Sequence, residues 1–210
     1  MLTITNYIKK YPSNPEPVLS IQQLNLNAGT YWIKGENGSG KTSLFKSIAG
    51  LIPFEGDIAV NDLHINRQRM AYTKVVNYAE AEPQYPVFLS GNDLIDFYKQ
   101  TKGENFPTVL FDSFAVAKFM RQKTATYSSG MLKKLSLVLG FTGNPVLILL
   151  DEPLTALDVE AVEVLQSAIL QYSSQGVSFL ITSHQPLSNE VMKTATTLLL
   201  QEKTLLSQTT

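Results

Sequence analysis

The sequence predicts an α/β fold with a mostly parallel sheet, an antiparallel β subdomain at the N-terminus and an inserted α-helical subdomain. Three observations predict it. "LTIT" and "SIQQLNLN", within the first 27 residues, alternate apolar and polar side chains, the period of a half-buried strand. "TYWIKG" runs straight into a Gly-rich turn and then "KTSLFKSIAGL", where Leu44, Phe45, Ile48 and Ala49 fall at helical spacing. "VLILL" and "VSFLIT" are continuous apolar runs of the kind covered by helices on both faces, and Val162, Leu165, Ile169 and Tyr172 form a helical stripe between them. Strand, helix and strand in that order imply a right-handed parallel crossover.

The remaining elements follow in chain order. The three prolines of "YPSNPEP" forbid regular structure and make a loop between the first two strands. Gly50 is placed to end the first helix, and Pro53 prevents its resumption. "GDIAVNDLHI" reads as another alternating strand, paired as a hairpin with its neighbour. From about Ser90 to Arg121 the signals are helical, in "NDLIDFYKQ" and "FDSFAVAKFM", with Gly and Pro breaks. "TTLLLQEKTLLSQ" reads as a closing hairpin. One domain is expected over 1–210, with a core and β subdomain at about 1–89 and 126–210 and a helical subdomain at about 90–125.

Composition narrows the partners. The 17 basic and 18 acidic residues leave a net charge of −1, without the excess that a general nucleic-acid binder carries. The longest apolar run, five residues, is far below the roughly 20 of a membrane-spanning helix, and "MLTITNYIKKY" lacks the apolar region of a signal peptide. There is no cysteine, so disulfides and thiolate metal sites are excluded.

"GENGSGKT", Gly35 to Thr42, fits the G-x-x-x-x-G-K-[ST] loop and sits between a strand and a helix, as the mechanism requires. Glycines at 35, 38 and 40 admit conformations barred to residues with a Cβ and let amide groups close around phosphate oxygens, while the following helix adds its positive end. This makes the fold class that of a P-loop NTPase core. Gly35, Asn37, Gly38, Ser39, Gly40, Lys41, Thr42 and Ser43 are the nucleotide-binding candidates here, with Lys41 reaching the β- and γ-phosphates and the Thr42 hydroxyl a ligand for Mg²⁺. "VLILLDEP" supplies Asp151 past the end of a buried strand, where it would hold Mg²⁺ through water. Glu152 beside it is the candidate that orients and deprotonates the attacking water.

The order P-loop, "YSSGM", "LLDEP", "TALD", "ITSHQ" resembles the nucleotide-binding ATPase subunit of ATP-binding cassette (ABC) transporters, over essentially all 210 residues. Residues 127–131 occupy the place of the family signature, with Ser128 and Gly130 matching and Tyr127, Ser129 and Met131 departing in a manner similar to exporter-type and ABC-2-type cassettes. The resemblance implies that Ser128, Ser129 and Gly130 contact the γ-phosphate bound by another subunit, that Asp158 of "TALD" is a cross-dimer contact, and that His184 hydrogen-bonds the γ-phosphate as a switch histidine. It places Tyr11 where the family has an aromatic stacking on adenine. Ala81 stands where the family has a Gln that contacts Mg²⁺ and senses the permease; Gln84 lies three residues later, and Glu80 and Glu82 flank the position.

The implied function is an ATPase, using ATP and Mg²⁺, that dimerises with itself or a related ATPase and energises a separate transmembrane permease. Its place would be the cytoplasm, peripheral on the inner face of the cell membrane. The permease would dock on the helical subdomain and on residues 81–88, which carry Tyr85, Pro86, Val87 and Phe88. Three other readings compete. A soluble ABC ATPase acting on DNA or the ribosome would need a long coiled coil or a second cassette, neither present here. A P-loop kinase would leave 127–131, 155–158 and 184 unused. A cassette that binds ATP with little turnover would account for Ala81 and the altered signature.

Overall fold

The computed structural model describes residues 1–207. Strands β1 (Leu2–Lys9), β2 (Leu19–Leu26), β4 (Glu55–Val60) and β5 (Leu63–His64) form an antiparallel sheet in the order β2-β1-β4-β5. The β4–β5 hairpin turns through Asn61 and Asp62, both at positive φ, as a tight two-residue turn requires.

The second sheet has six strands in the order β10-β9-β3-β8-β7-β6. Its members are β3 (Thr30–Lys34), β6 (Val76–Ala79), β7 (Leu147–Asp151), β8 (Ser178–Thr182), β9 (Ala195–Gln201) and β10 (Thr204–Ser207). All neighbours run parallel except β9 and β10. The closing hairpin is therefore more than a hairpin, because β9 also lies parallel to β3 and extends the main sheet. The segment before residue 80 holds two elements that the sequence signals do not mark: α2 (Arg69–Val75) and β6. Four residues that include a buried Asn77 read poorly as a strand. Here the Asn77 amide donates to the carbonyls of Gly140 (2.9 Å) and Thr142 (2.8 Å) at the end of a packed helix, and this contact decides the matter.

The helices are α1 (Lys41–Ile48), α2, α3 (Gly91–Lys102), α4 (Thr108–Ser113), α5 (Ser129–Gly140), α6 (Val159–Ser174) and α7 (Asn189–Thr194). The main sheet separates two cores. Leu147 and Leu149 of β7 join α1 and the antiparallel sheet on one face; Ile148 and Leu150 join α5 and α6 on the other. Alternate residues of one strand thus serve opposite cores, which is why the run is apolar throughout. Each such side chain contributes about 1.5–3 kcal/mol when fully buried. On α6 the expected stripe is narrower than read: Leu165 and Ile169 are buried with Ala161 and Ala168, while Val162 and Tyr172 pack at its margin.

Candidate active site

β3 delivers the chain to Gly35, and α1 leaves at Lys41. Gly38 and Gly40 take φ of 79° and 102°, the left-handed region that favours glycine. Gly35 is different: its φ is ordinary, and glycine is needed because a Cβ would lie 2.8 Å from Ser39 Oγ and 2.9 Å from the Leu200 carbonyl. Gly40 is the N-cap of α1 and supplies no side-chain cap, so the first amides of that helix keep free hydrogens. The Lys41 ammonium folds back over the loop and donates to the carbonyls of Gly35 (2.7 Å) and Glu36 (2.9 Å). Burial lowers its pKa, opposed by the nearby carboxylates of Glu152 and Asp151. Thr42 is exposed, and the Ser43 hydroxyl pairs with Tyr11 Oη at 2.9 Å. The Lys9 ammonium, 4.4 Å from the ring centroid, covers one face of Tyr11.

Asp151, 1% exposed, ends β7 with both carboxylate oxygens engaged. Thr182 Oγ1 donates to Oδ1 at 2.6 Å, and Tyr78 Oη donates to Oδ2 at 3.1 Å. Next, Glu152 turns out of the strand at a φ of 44°, a conformation that costs a non-glycine residue of order 1–3 kcal/mol and is held by two bonds from its amide to Thr182. Its Oε2 accepts from the His184 amide (3.1 Å), and its Oε1 is buried without a hydrogen-bond partner. His184 Nε2 stands 3.4 Å from that oxygen, near but not aligned to donate.

One cavity of about 490 Å³ gathers Tyr11, Asn37, Gly38, Ser39, Gly40, Lys41, Thr42, Ser43, Asp151, Glu152 and His184. A larger one, about 860 Å³, lies across the same loop and has none of Lys41, Asp151, Glu152 or His184 in its wall. Of the two, the smaller brings these four side chains together. Ser128, Gly130 and Asp158 line a third cavity of about 330 Å³ elsewhere on the surface. Ser128 is the N-cap of α5, its Oγ accepting from the Met131 amide at 3.2 Å. A Cβ on Gly130 would stand 3.1 Å from the Ala156 carbonyl, so this glycine lets α5 approach the 155–158 turn. Asp158 caps α6 through Ala161 N (2.8 Å) and pairs with Lys134 (2.7 Å); the Lys134 bond, then the Ala161 amide, hold its carboxyl below the usual range.

Ala81 is half-buried and Gln84 exposed; neither they nor Glu80 and Glu82 line the 490 Å³ cavity. Of the four residues expected to be presented outward, Val87 and Phe88 are exposed (65% and 68%) with Pro86, whereas Tyr85 packs against the core. Three residues escape the sequence reading: Thr182, Tyr78 and Lys133. Lys133 is 1% exposed on α5, its pKa pushed down to about 8 by burial against the opposing pull of Asp151, Glu152 and Glu80. Its spacing was the available signal, four residues before Leu137 and seven before Gly140 on the buried face.

The family description "ABC transporter" matches residues 19–155. An ABC transporter ATP-binding protein of Bacillus subtilis, YybJ, is 29% identical over 202 residues, covering 88% of this chain and 85% of that protein. A solved structure of the ATP-binding subunit of an ABC transporter superposes with a TM-score of 0.86 at 20% identity, covering 99% of this chain and 90% of the other. Another, the dimeric post-hydrolysis state of an ATP-binding cassette bound to ADP and Pi, has a TM-score of 0.79 at 18% identity and full coverage of both chains.

Proposed function

The chain belongs to the ABC transporter family as an ATP-binding ATPase subunit, and we propose that its catalytic site is completed only when two chains meet head to tail around ATP. The observation that carries this is the separation of the two groups of residues: Lys41, Glu152 and His184 share one cavity, while Ser128, Gly130 and Asp158 share another.

In the first cavity, phosphate oxygens exchange with the carbonyls of Gly35 and Glu36 for the Lys41 ammonium, and the free amides at the start of α1 take the rest of the charge. Tyr11 offers one ring face to the base, the other being covered by Lys9. Thr42 and Asp151 present a hydroxyl and a carboxylate, hard oxygens of the kind Mg²⁺ takes beside phosphate and water, so the residues fit the ion. Bound there, Mg²⁺ would neutralise charge on the β- and γ-phosphate oxygens. Glu152 is the base: the free lone pairs of Oε1 accept a proton from water as its oxygen bonds to the γ-phosphorus and ADP leaves. His184, 54% exposed, reaches the γ-phosphate from the cavity rim.

The second cavity supplies the start of α5 to the γ-phosphate of the partner chain. Loss of that phosphate removes the shared contacts and loosens the pair, a population shift set by ligand. On this reading the docking surface for a transmembrane permease is the helical region at about 90–125 with Pro86, Val87 and Phe88, whose exposure supports it, and the chain works peripherally at the cytoplasmic face of a membrane. No helix among the described residues is long and apolar enough to cross a membrane.

The test is Glu152→Gln. It is expected to bind ATP as the parent does, accumulate as a dimer with ATP by light scattering, and lose turnover on the order of 10²–10⁴-fold. Turnover within twofold of the parent would remove Glu152 from its role.

A further inference from the structure

Pairing between β6 and β7 ends at Ala79 opposite Leu150. Beyond that point the two chains part, β7 running on to Asp151 and Glu152 and the other into the loop that carries Val87 and Phe88. The carbonyls of Glu80, Ala81 and Asp151, which no longer pair across the gap as strand neighbours, converge on one group. Lys133 Nζ donates to them at 2.8, 3.1 and 3.0 Å respectively. An ammonium has three hydrogens and no acceptor, so this one is fully used. It comes from α5, five residues after the Ser128 N-cap.

We propose that Lys133 is a positioning residue that locks three parts of the ATPase into one body: the start of α5, the end of the acidic strand, and the loop 80–89. This rests on the reading of Asp151 and Glu152 as the hydrolytic site. Ala81 has no side chain that reaches the cavity, so the link between loop and site passes through backbone carbonyls held by a neighbouring helix. Displacing α5 toward a phosphate then displaces both Asp151 and the loop. A neutral, shorter or apolar side chain at 133 leaves the P-loop untouched and so affects catalysis and communication more than ATP affinity.

The experiment compares Lys133→Met with Lys102→Met in the full chain. Lys102 is a matching buried lysine, donating to the carbonyls of Thr73 and Val76 away from the phosphate cavity, with its pKa likewise lowered to about 8 by burial. Both changes remove an ammonium from buried carbonyls and lower Tm. Below both melting points, Lys133→Met is expected to keep its ATP Kd within about threefold while kcat falls on the order of tenfold to a hundredfold, as displaced catalytic groups do; Lys102→Met keeps both. In a Glu152→Gln background, ATP is expected to slow amide exchange in residues 82–90, and Lys133→Met to abolish that slowing. Normal kcat with ATP-dependent protection retained in Lys133→Met overturns the proposal. If Lys133→Met does not fold, Lys133→Gln takes its place with the same expectations, and failure of both to fold assigns Lys133 to the core alone and likewise overturns it. Should the parent chain itself fail to hydrolyse ATP, the fault lies in the reading of the site, and the exchange measurement still decides the role of Lys133.

Discussion

Two helix starts in this molecule face the same electrostatic task and are built differently. α1 begins at Gly40 with no side-chain cap, no acidic residue in its first turn and a lysine folded over the loop before it. α5 begins at Ser128, whose hydroxyl already accepts from the Met131 amide, and the lysine of this helix that lines its cavity, Lys134, is paired with Asp158. The first is a site kept open for an anion it holds itself. The second is stable without one, its cap already satisfied by its own chain. A helix N-terminus attracts negative charge in either case, but the cap decides whether the helix needs a ligand to be satisfied.

The contrast is broken most severely at Lys41. If the Lys41 ammonium exchanges its two carbonyl bonds for phosphate as proposed, Lys41→Ala would remove two charge-assisted bonds of about 1.5–3 kcal/mol each, and it is expected to raise the ATP Kd on the order of 10²–10⁴-fold by titration calorimetry. At α5, Ser128→Ala with Gly130→Asp in the Glu152→Gln background sets a carboxylate against the partner's γ-phosphate and crowds the Ala156 carbonyl. Sedimentation is expected to show ATP-bound monomers, dimerisation weakened on the order of a hundredfold by the like charge. An intact ATP-dependent dimer would reduce α5 to a capped helix and nothing more.

Gly40→Ala tests the open cap from the stability side. At a φ of 102°, with its Cβ 2.9 Å from Leu19 Cγ, alanine is strained by about 2 kcal/mol, and Tm is expected to fall by roughly 4–8 °C. The smallest effect is at Asp158. Its carboxyl lies below its unfolded pKa, so its stabilising contribution is present above the ordinary carboxylate range, near pH 4, and is lost as pH falls through the depressed folded value. Asp158→Asn is therefore expected to melt slightly below the parent at pH 7 and to draw level with it as the pH falls through the depressed folded pKa, with the difference shrinking in high salt.

Much of this was legible from local pattern. Gly35 to Thr42 and the run ending at Asp151 announce themselves because a phosphate loop and a buried strand are specified within eight residues or fewer. The element α2–β6 was not legible, since Asn77 looks polar until the end of α5 is brought to its amide. Tyr85 looked like its exposed neighbours Val87 and Phe88, and only the core beneath it separates them.

What the sequence determined by itself was the backbone chemistry of the site: a glycine loop that can turn, a helix that follows at once, a carboxylate where an apolar strand stops. Nearest-neighbour sterics and periodicity are enough for that. What only the tertiary structure decided was how those groups are held and divided. Thr182 reaches Asp151 from 31 residues away and Tyr78 from 73, and Lys133 reaches Glu80 and Ala81 from 53 and 52. Such contacts depend on strand order and on which helix covers which face. The same long-range packing set Ser128 and Asp158 in a cavity apart from Lys41 and Glu152, because α1 and α5 pack in the cores on opposite faces of the main sheet.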